Sequence, residues 1–361
     1  MAQSLFNRYK GKKVFVTGNT GFKGSWLSIW LLELGAEVVG YALPTKHELD
    51  NFAACDLENK LTQNYGDIRD FKQLNTAIQK ANPDYIFHLA AQALVLDSYE
   101  DPLTTFNTNI MGTANLLQAA RSCKNLKSIV LITSDKCYEN KEVVWGYRET
   151  DQLGGKDPYS ASKAGAEIVA YAFYHSFYKD SNIRIATTRA GNVIGGGDWS
   201  GNRLIPDIFK NIRENKTVVI RNPSATRPWE HVLEPLSGYL QLGLKLEDSK
   251  DFEGAWNFGP STYVHYSVAD VVKEIKKNTP VNFELGDIPQ QHHEATFLKL
   301  DITKAASYLE WLPQLNFEEM ISFTVEGYLA QDNANNLYTH RVKQINDYTK
   351  LANSKHTAWS L

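Results

Sequence analysis

Cysteine is scarce in this chain, the charges are nearly balanced, and no long apolar run occurs. The cysteines Cys55, Cys123 and Cys137 are odd in number and form no CxxC pair, which argues against a disulfide framework or a zinc site and predicts a reducing, cytoplasmic compartment. The net charge of -3 offers no basic face to nucleic acid or an anionic membrane. Segment 26–34, the most apolar helical stretch, is too short to span a bilayer. We therefore expect no metal, nucleic-acid or membrane partner.

The first half of the chain alternates short apolar segments with helical ones. The predicted strands are 13–17, 36–43, 84–89, 127–133 and 183–188, and the predicted helices are 21–34, 71–81, 102–122 and 158–178. Strands that are apolar almost throughout are typical of a parallel sheet covered by helices on both faces. The sequence therefore predicts an α/β fold with a Rossmann-type, doubly wound parallel sheet.

A glycine-rich turn stands between the first predicted strand and the first predicted helix. Gly18, Gly21 and Gly24 are spaced by three, and Thr20 and Phe22 lie between them. Glycine lets the backbone turn sharply and approach a pyrophosphate, which then rests on the helix N-terminus. A glycine triplet alone also fits a tight turn, but its position favours a dinucleotide site.

The regular pattern loosens after residue 190. Residues 1–190 are therefore predicted to form the dinucleotide-binding domain, to which a helix over 231–247 returns. Residues 191–361 are predicted to form most of a smaller α/β lobe that binds the substrate, because irregular loops beside a sheet domain are where specificity usually resides.

A Y-x-x-x-K motif begins the last helix of the first half. Tyr159 and Lys163 are four residues apart and lie on one helical face. We expect the ammonium of Lys163 to lower the phenol pKa, so that Tyr159 removes a hydroxyl proton near neutral pH. Ser134, at the end of the preceding strand, is expected to hydrogen-bond the same substrate oxygen.

Several segments resemble one enzyme family across nearly the whole chain. They are 18–27, 133–138, 144–149, 190–199, 221–223, 227–235 and 256–260. They are similar to extended short-chain dehydrogenases/reductases of the NAD-dependent epimerase/dehydratase type. Within that group, the T-S-D-K-C-Y sequence of 133–138 matches the CDP-glucose 4,6-dehydratases.

The resemblance implies NAD as the cofactor. It places Asp67 and Ile68 on the adenine side and Ala90, Ala91 and Gln92 on the nicotinamide-ribose side. The second strand ends without the acidic residue that would bind a ribose 2′-hydroxyl, and Lys46 nearby suits a phosphate. The choice of NAD over NADP therefore follows from the resemblance alone.

The resemblance also implies a dehydration of CDP-glucose to a 4-keto-6-deoxy sugar, for deoxy- and dideoxyhexose synthesis in bacterial surface polysaccharide. Asp135 is the expected acid at C6, with a pKa raised by burial. Lys136 is expected either to remove the C5 proton as a neutral amine or to stabilise the developing enolate as a cation. A homo-oligomer, dimer or tetramer, is expected from the family.

Polar residues after position 190 are the candidates for substrate contacts. They are Asn192, Arg203, Arg221 and Arg227, since arginine offers planar, bidentate donors to phosphate. The alternatives are a 4-epimerase, which would not need Asp135 and Lys136, and a dTDP-glucose dehydratase, which would carry Asp-Glu there. A protein that binds a dinucleotide without turnover would commonly lack Tyr159 or Lys163.

Overall fold

A computed structural model describes residues 4–220, 222–261, 266–286, 298–333 and 336–360. Arg221, one of the predicted substrate residues, lies outside these ranges. The strands are β1 Lys13–Thr17, β2 Glu37–Ala42, β3 Thr62–Tyr65, β4 Tyr85–His88, β5 Ser128–Ile132, β6 Arg184–Ala190, β7 Asn192–Ile194, β8 Val218–Ile220, β9 Thr226–Arg227, β10 Trp229–His231, β11 Gly254–Phe258, β12 Tyr266–Ser267 and β13 Phe283–Leu285. The helices are α1 Phe22–Glu33, α2 Asn51–Ala54, α3 Phe71–Ala81, α4 Val95–Glu100, α5 Pro102–Phe106, α6 Gly112–Ala120, α7 Pro158–Phe173, α8 Leu204–Arg213, α9 Leu233–Asp248, α10 Val268–Asn278, α11 Thr303–Tyr308, α12 Phe317–Asn333 and α13 Leu337–Ser354.

The main sheet has seven strands in the order β11-β6-β5-β4-β1-β2-β3. Every neighbouring pair is parallel. The order reverses at β1, whose neighbours are β2 on one side and β4 on the other, and the crevice at such a switch point is where open α/β sheets bind their ligands. The predicted doubly wound parallel sheet is confirmed.

Successive side chains of the central strands pack into two separate cores. Val14 and Val16 face the core that α1, α9 and α13 cover, whereas Phe15 faces the core that α3 and α6 cover. All three side chains are fully buried. Burial on both faces explains why these strands are apolar throughout rather than alternating.

The helix predicted over 102–122 consists of several short helices. Helix α5 continues through a π-helical segment, Asn107–Met111, into α6, and α7 ends in a second π-helical segment, Tyr174–Tyr178. The outer strands β3 and β11 were not predicted. β3 reads T-Q-N-Y and is only partly buried, as an edge strand can be, so its sequence carries no apolar signal.

Elements from the second half of the chain complete the sheet domain. Helix α9 packs against β5 and β6, and β11 pairs with β6 in parallel register. The remaining strands form pairs, β7 with β10, β9 with β12 and β8 with β13. Within the described ranges, no helix combines the length and apolar content needed to cross a membrane.

Candidate active site

The glycine turn lies at the switch point of the sheet. Gly18 has a φ of +70°, and a Cβ there would stand 2.6 Å from the backbone N of Ala90. A Cβ on Gly24 would stand 2.1 Å from the carbonyl O of Gly18. The turn is therefore pressed between the first turn of α1 and the segment after β4, and side chains at these two positions would force it apart.

The N-terminus of α1 fits a pyrophosphate. Its N-cap residue is Gly21, so no side chain caps the helix, whose first N–H groups are free of a side-chain acceptor. Thr20 Oγ1 donates to the carbonyl O of Leu43 at 2.9 Å, which turns that side chain toward the end of β2. Phe22 is half-buried at the first helical position.

The residues predicted for the adenine side lie beside the end of β2. The buried Tyr41 donates to the carbonyl O of Asp67 at 3.1 Å. Asp67 forms an ion pair with Arg69 at 2.6 Å, and this hydrogen bond lowers the pKa of the carboxyl. Ile68 is buried. β2 ends in Gly40-Tyr41-Ala42, and none of these three residues carries a carboxylate.

The segment after β4 joins the glycine turn to α7. The N–H of Ala90 donates to Thr17 Oγ1 at 3.2 Å, and the N–H of Gln92 donates to Asn109 Oδ1 at 2.8 Å. Asn109 donates in turn to a hydroxyl on α7 at 2.7 Å. Ala91, between the two anchored residues, is half-buried. The structure therefore brings these predicted cofactor residues beside both the glycine turn and the helix with the Y-x-x-x-K motif.

A single 3-10 turn after β5 carries the predicted acid–base residues. Ser134 is the N-cap of this turn, Asp135–Cys137, and its Oγ accepts from the N–H of Lys136 at 3.2 Å. Ser134 Oγ also donates to Asp135 Oδ1 at 3.0 Å. Asp135 is 3% exposed, and burial raises the pKa of its carboxyl, as expected. Lys136 is half-buried.

Helix α7 brings Tyr159 to the same place. Its N-cap, Asp157, accepts from the N–H of Ser160 at 2.9 Å, and Pro158 occupies the first helical position. This start places the tyrosine in the first turn of the helix, near Ser134. Lys163 lies one turn later and donates to the carbonyl O of Ile132, on β5, at 3.4 Å.

Burial acts on both residues of the Y-x-x-x-K motif, and the expected lowering of the Tyr159 pKa by Lys163 stays a prediction. Burial raises the pKa of Tyr159 to about 12, and the nearby hydroxyl of Ser134 and the charge of Arg203 only partly oppose it. Burial also lowers the pKa of the Lys163 ammonium to about 8, with a contribution from the nearby Lys23. The motif indicates the residues but not their burial, which is the dominant effect on both pKa values.

A buried ion pair that the sequence analysis did not identify holds this arrangement together. Glu167, on α7, and Arg189, on β6, are joined by two hydrogen bonds of 3.0 and 2.9 Å. Thr133 Oγ1 donates to Glu167 at 2.5 Å, and Arg189 donates to the hydroxyl of Tyr138 at 2.8 Å. The pair therefore ties α7 to both ends of the turn that carries Ser134. The one sequence signal for this ion pair was Glu167, which stands two helical turns after Tyr159.

Two further charged residues near the site were also missed. Glu230, on β10, is buried, accepts from the N–H of Gly191 at 3.3 Å, and has a pKa raised well above its usual range by burial. Burial lowers the pKa of Lys23, in the glycine turn, to about 8, while the charges of Glu230 and Asp135 oppose this. The sequence signal that could have identified both residues was their position inside the family-like segments 18–27 and 227–235.

The predicted substrate residues differ in where they lie. Arg203 forms an ion pair with Asp198 at 3.0 Å, which outweighs burial and raises its pKa, and its charge acts on Tyr159. Asn192 lies on β7, next to the buried β6. Arg227, on β9, donates to the carbonyl O of Thr226 at 3.0 Å. Among these, Arg203 lies near enough for its charge to lower the pKa of Tyr159.

The fold and the site together define a class. A parallel sheet with the glycine turn at its switch point, and a tyrosine, lysine and serine converging at the neighbouring strand end, are the features of an extended short-chain dehydrogenase/reductase. The family can be stated more narrowly. The chain belongs to the GDP-mannose 4,6 dehydratase family, whose model matches residues 15–324.

Individual relatives are similar over most of the chain. A CDP-glucose 4,6-dehydratase from Salmonella typhimurium is 46% identical over 350 residues, which cover 95% of this chain and 97% of that protein. A CDP-paratose 2-epimerase from Salmonella typhi is 23% identical over 333 residues, which cover 85% of this chain and 96% of that protein. The structure of a dTDP-glucose 4,6-dehydratase from Streptomyces venezuelae superimposes with a TM-score of 0.76 at 23% identity, over 88% of this chain and 97% of that one.

Proposed function

We propose that this protein is a CDP-D-glucose 4,6-dehydratase, which converts CDP-D-glucose to CDP-4-keto-6-deoxy-D-glucose and water. The observation that carries this proposal is the 46% identity to the Salmonella typhimurium enzyme over nearly the full length of both chains. The site supports it, because Asp135 and Lys136 stand beside Ser134, where a dehydration needs a second acid–base pair.

NAD is the proposed cofactor, held by Gly18, Gly21 and Gly24 with the N-terminus of α1 on its pyrophosphate. The segments that contain Asp67 and Ala90 flank this cradle at the adenine and nicotinamide-ribose sides. When bound, NAD takes a hydride from C4 of the sugar and returns it to C6, and its positively charged nicotinamide favours the phenolate of a nearby tyrosine.

The residues of the chain move the protons. Tyr159 takes the proton of the C4 hydroxyl, and Ser134 orients that hydroxyl. The 4-ketone acidifies the proton on C5, which Lys136 removes as a base and later returns. Asp135 protonates the C6 hydroxyl as the C6–O bond breaks, so that water leaves. The raised pKa of Asp135 supports this role, because the carboxyl must hold a proton near neutral pH.

Asn192, Arg203, Arg221 and Arg227 are the proposed contacts to the sugar and the diphosphate. Arg203 is the best supported of them, since its charge acts on Tyr159. We also propose that most of residues 191–361 form the substrate lobe, with α9 and β11 belonging to the dinucleotide domain. Arg203 pairs with Asp198 within that lobe and donates to the carbonyl O of Ala93, in the dinucleotide domain, at 3.4 Å.

A turnover assay with CDP-glucose, and with dTDP-, UDP- and GDP-sugars in parallel, tests the function. The expected result is the alkaline ultraviolet chromophore of a 4-keto-6-deoxy sugar from CDP-glucose, without net NADH. Tyr159→Phe is the matched control and should abolish the chromophore while leaving NAD binding measurable by calorimetry. Inversion at C4 without the chromophore would favour a 4-epimerase, and no turnover of any sugar nucleotide would favour a non-catalytic dinucleotide-binding protein.

The proposed protein is a cytoplasmic homodimer that supplies the synthesis of deoxy- and dideoxyhexoses for surface polysaccharide such as O-antigen. The free, buried state of Cys55, Cys123 and Cys137 is consistent with a reducing compartment. Exposed apolar side chains support the dimer, because α5 and α6 both pack against α7 and large side chains of these helices and their π-helical segments face outward. These are Leu103, Met111, Ile168, Tyr171 and Phe177.

A further inference from the structure

A buried aspartate follows the glycines of the loop between β7 and α8. Residues 195–197 are all glycine, and Asp198 comes next. The side chain of Asp198 is only 4% exposed. Its Oδ1 accepts from the N–H of Ser200 at 3.1 Å, and its Oδ2 accepts from Nη1 of Arg203 at 3.0 Å. Both carboxylate oxygens are therefore engaged, and the proton transfers proposed above give this group no task.

Three helices hold the backbone on which Asp198 stands. Trp26, on α1, donates to the carbonyl O of Gly196 at 2.9 Å. Tyr328, on α12, donates to the carbonyl O of Asp198 itself at 2.6 Å. A Cβ on Gly196 would stand 2.7 Å from Nη1 of the fully buried Arg341, on α13. The loop is thus pressed onto these helices, and the carboxylate of Asp198 extends from a fixed backbone.

Arg203 reaches from the proposed substrate lobe to the dinucleotide domain. It is the N-cap residue of α8, and its carbonyl O accepts from the N–H of Asp207 at 3.0 Å. Its Nη2 donates to the carbonyl O of Ala93 at 3.4 Å. A guanidinium has five N–H donors, and the contacts of Arg203 with the described residues use two of them. The other three are available to a ligand in the cleft.

The segment that accepts this contact is itself fixed. The side-chain amide of Gln92 donates to the carbonyl O of Leu94 at 3.0 Å and accepts from the N–H of Leu94 at 2.5 Å. It also donates to Thr105 Oγ1, on α5, at 2.9 Å. Ala93 lies between these two residues, and Gln92 belongs to the segment predicted for the nicotinamide ribose. Arg203 therefore contacts the part of the dinucleotide domain that is expected to hold the reacting end of the cofactor.

We propose that Asp198 is a positioning residue that holds Arg203 across the cleft, so that a nucleoside diphosphate bound by Arg203 also steadies the nicotinamide-ribose segment through Ala93. These three residues form the cleft bridge. The diphosphate is the group recognised, because a guanidinium offers planar, paired donors to phosphate oxygens. Binding of the nucleoside diphosphate and binding of NAD should then favour each other by the same factor. The cleft bridge rests on the proposed function, since it uses the proposed cofactor segment.

The first experiment measures the affinity for NAD by calorimetry, with and without saturating CDP. CDP should raise the NAD affinity of the wild type about 5-fold or more. Asp198→Asn keeps the shape of the side chain but removes the charge that holds the guanidinium, and Arg203→Lys keeps a positive charge but loses the planar fork that contacts both partners. In both variants, CDP should raise the NAD affinity by less than about 2-fold.

Asp332→Asn is the matched control. It removes another ion pair of α8, in which Arg213 lies 3.1 Å from Asp332, and it should keep the full effect of CDP on NAD affinity. Urea unfolding checks that Asp198→Asn is folded. If that variant does not fold, Arg203→Lys decides, because the side chain of Arg203 is 36% exposed and tolerates the change more readily.

Three results would overturn the cleft bridge. The first is a wild type that binds no CDP or whose NAD affinity is unchanged by CDP. The second is an effect of CDP that persists in Arg203→Lys. The third is an Asp198→Asn protein that binds CDP more tightly than the wild type, since Asp198 would then only repel the diphosphate.

Steady-state kinetics separate positioning from a general structural effect. Both variants should raise KM for CDP-glucose about 10-fold or more and change kcat by less than about 3-fold, because the lost contact binds the substrate and the transition state alike. A fall in kcat at unchanged KM would contradict the positioning role. A wild type that turns over no sugar nucleotide would instead defeat the dehydratase proposal, and the effect of CDP on NAD affinity would still decide whether the cleft bridge exists.

Discussion

Asp135 and Lys136 are adjacent in the sequence, but their side chains meet different surroundings. In a 3-10 helix, successive side chains are about 120° apart around the axis. Asp135 is accordingly buried against Ser134, whereas Lys136 is half-buried. Neighbouring residues can therefore act on different carbons of one sugar, with the buried one kept as an acid by its raised pKa.

The role of Lys136 can be separated from that of a fixed positive charge. Lys136→Arg keeps the charge but cannot act as a base near neutral pH, and Lys136→Met removes both properties. If Lys136 removes the C5 proton, both variants should lose about 10²- to 10⁴-fold in kcat. They should still oxidise C4, so that NADH accumulates on the enzyme. Stopped-flow absorbance of NADH and exchange of the C5 proton with deuterated solvent are the measurements.

If Lys136 acts as a cation instead, the two variants should differ in activity. If the lysine stabilises the enolate as a cation, Lys136→Arg should keep much of the activity and of the C5 exchange, whereas Lys136→Met should lose both. An arginine variant that exchanges C5 as fast as the wild type would therefore exclude Lys136 as the base.

At the scale of single residues, the sequence predicts which side chains meet in the site. It does not predict how deeply they are buried or how burial changes their pKa values. Tyr159, Lys163 and Ser134 were predicted from a motif, and the structure brings them together. The pKa of about 12 for the tyrosine was not predicted, because it results from burial by residues distant in the chain. Glu230, which β10 contributes, was missed for the same reason.

At the scale of elements, the glycine turn depends on two close approaches of the backbone. Gly24→Ala would place a methyl group 2.1 Å from the carbonyl O of Gly18, so the turn must open. We expect at least a 10-fold loss of NAD affinity by calorimetry, because the helix N-terminus would move from the pyrophosphate. Gly201→Ala is the matched control, since nothing lies within 4 Å of its Cβ. Unchanged NAD affinity in Gly24→Ala would contradict the proposed cradle.

The ion pair between Glu167 and Arg189 links three elements and should dominate their stability. Glu167→Gln should lower the free energy of unfolding by about 3–5 kcal/mol, because it leaves a buried guanidinium without its counter-charge. Asp347→Asn is the control, because it removes an exposed ion pair with Lys343. It should change the free energy of unfolding by less than about 1 kcal/mol. Urea unfolding monitored by circular dichroism measures both, and equal effects would refute this view of the pair.

The same pair predicts a pH dependence. Burial opposes ionisation of Glu167, but the charge and hydrogen bonds of Arg189 outweigh it and lower the pKa of the carboxyl. The unfolded chain then binds more protons in acid, so the contribution of Glu167 is present above its ordinary pKa of about 4.3 and is lost as the pH falls through the lower folded pKa. Glu167→Gln should therefore flatten the loss of stability below about pH 4.

The elements of the first half could be predicted because their signals are local. Strands β1, β2, β4, β5 and β6 follow apolar runs, and the N-cap Asp157 with Pro158 begins α7 where the sequence predicts it. β11 could not be assigned to the sheet, because its partner, β6, lies more than sixty residues earlier. Its place results from tertiary packing beside α9.

At the scale of the whole molecule, the outer face of α7 would link the proposed dimer to catalysis. Ile168 and Tyr171 are 59% and 68% exposed on the helix that also carries Tyr159 and Lys163, and Leu103, 79% exposed, stands on the neighbouring α5. Monomeric proteins seldom expose several large apolar side chains on packed helices without a partner. A second copy that covers this face would bury it and restrain the helix that positions the tyrosine.

A negative charge on this face should therefore disrupt the proposed dimer and lower the catalytic rate. We expect the wild type to sediment as the proposed dimer and Tyr171→Asp as a monomer. The variant should lower kcat more than it raises KM, since the catalytic helix loses its support. Tyr308→Asp is the control, because Tyr308 is 71% exposed on α11, outside the proposed interface. A Tyr171→Asp protein that stays dimeric would place the interface elsewhere, and a fully active monomer would show that assembly does not position Tyr159.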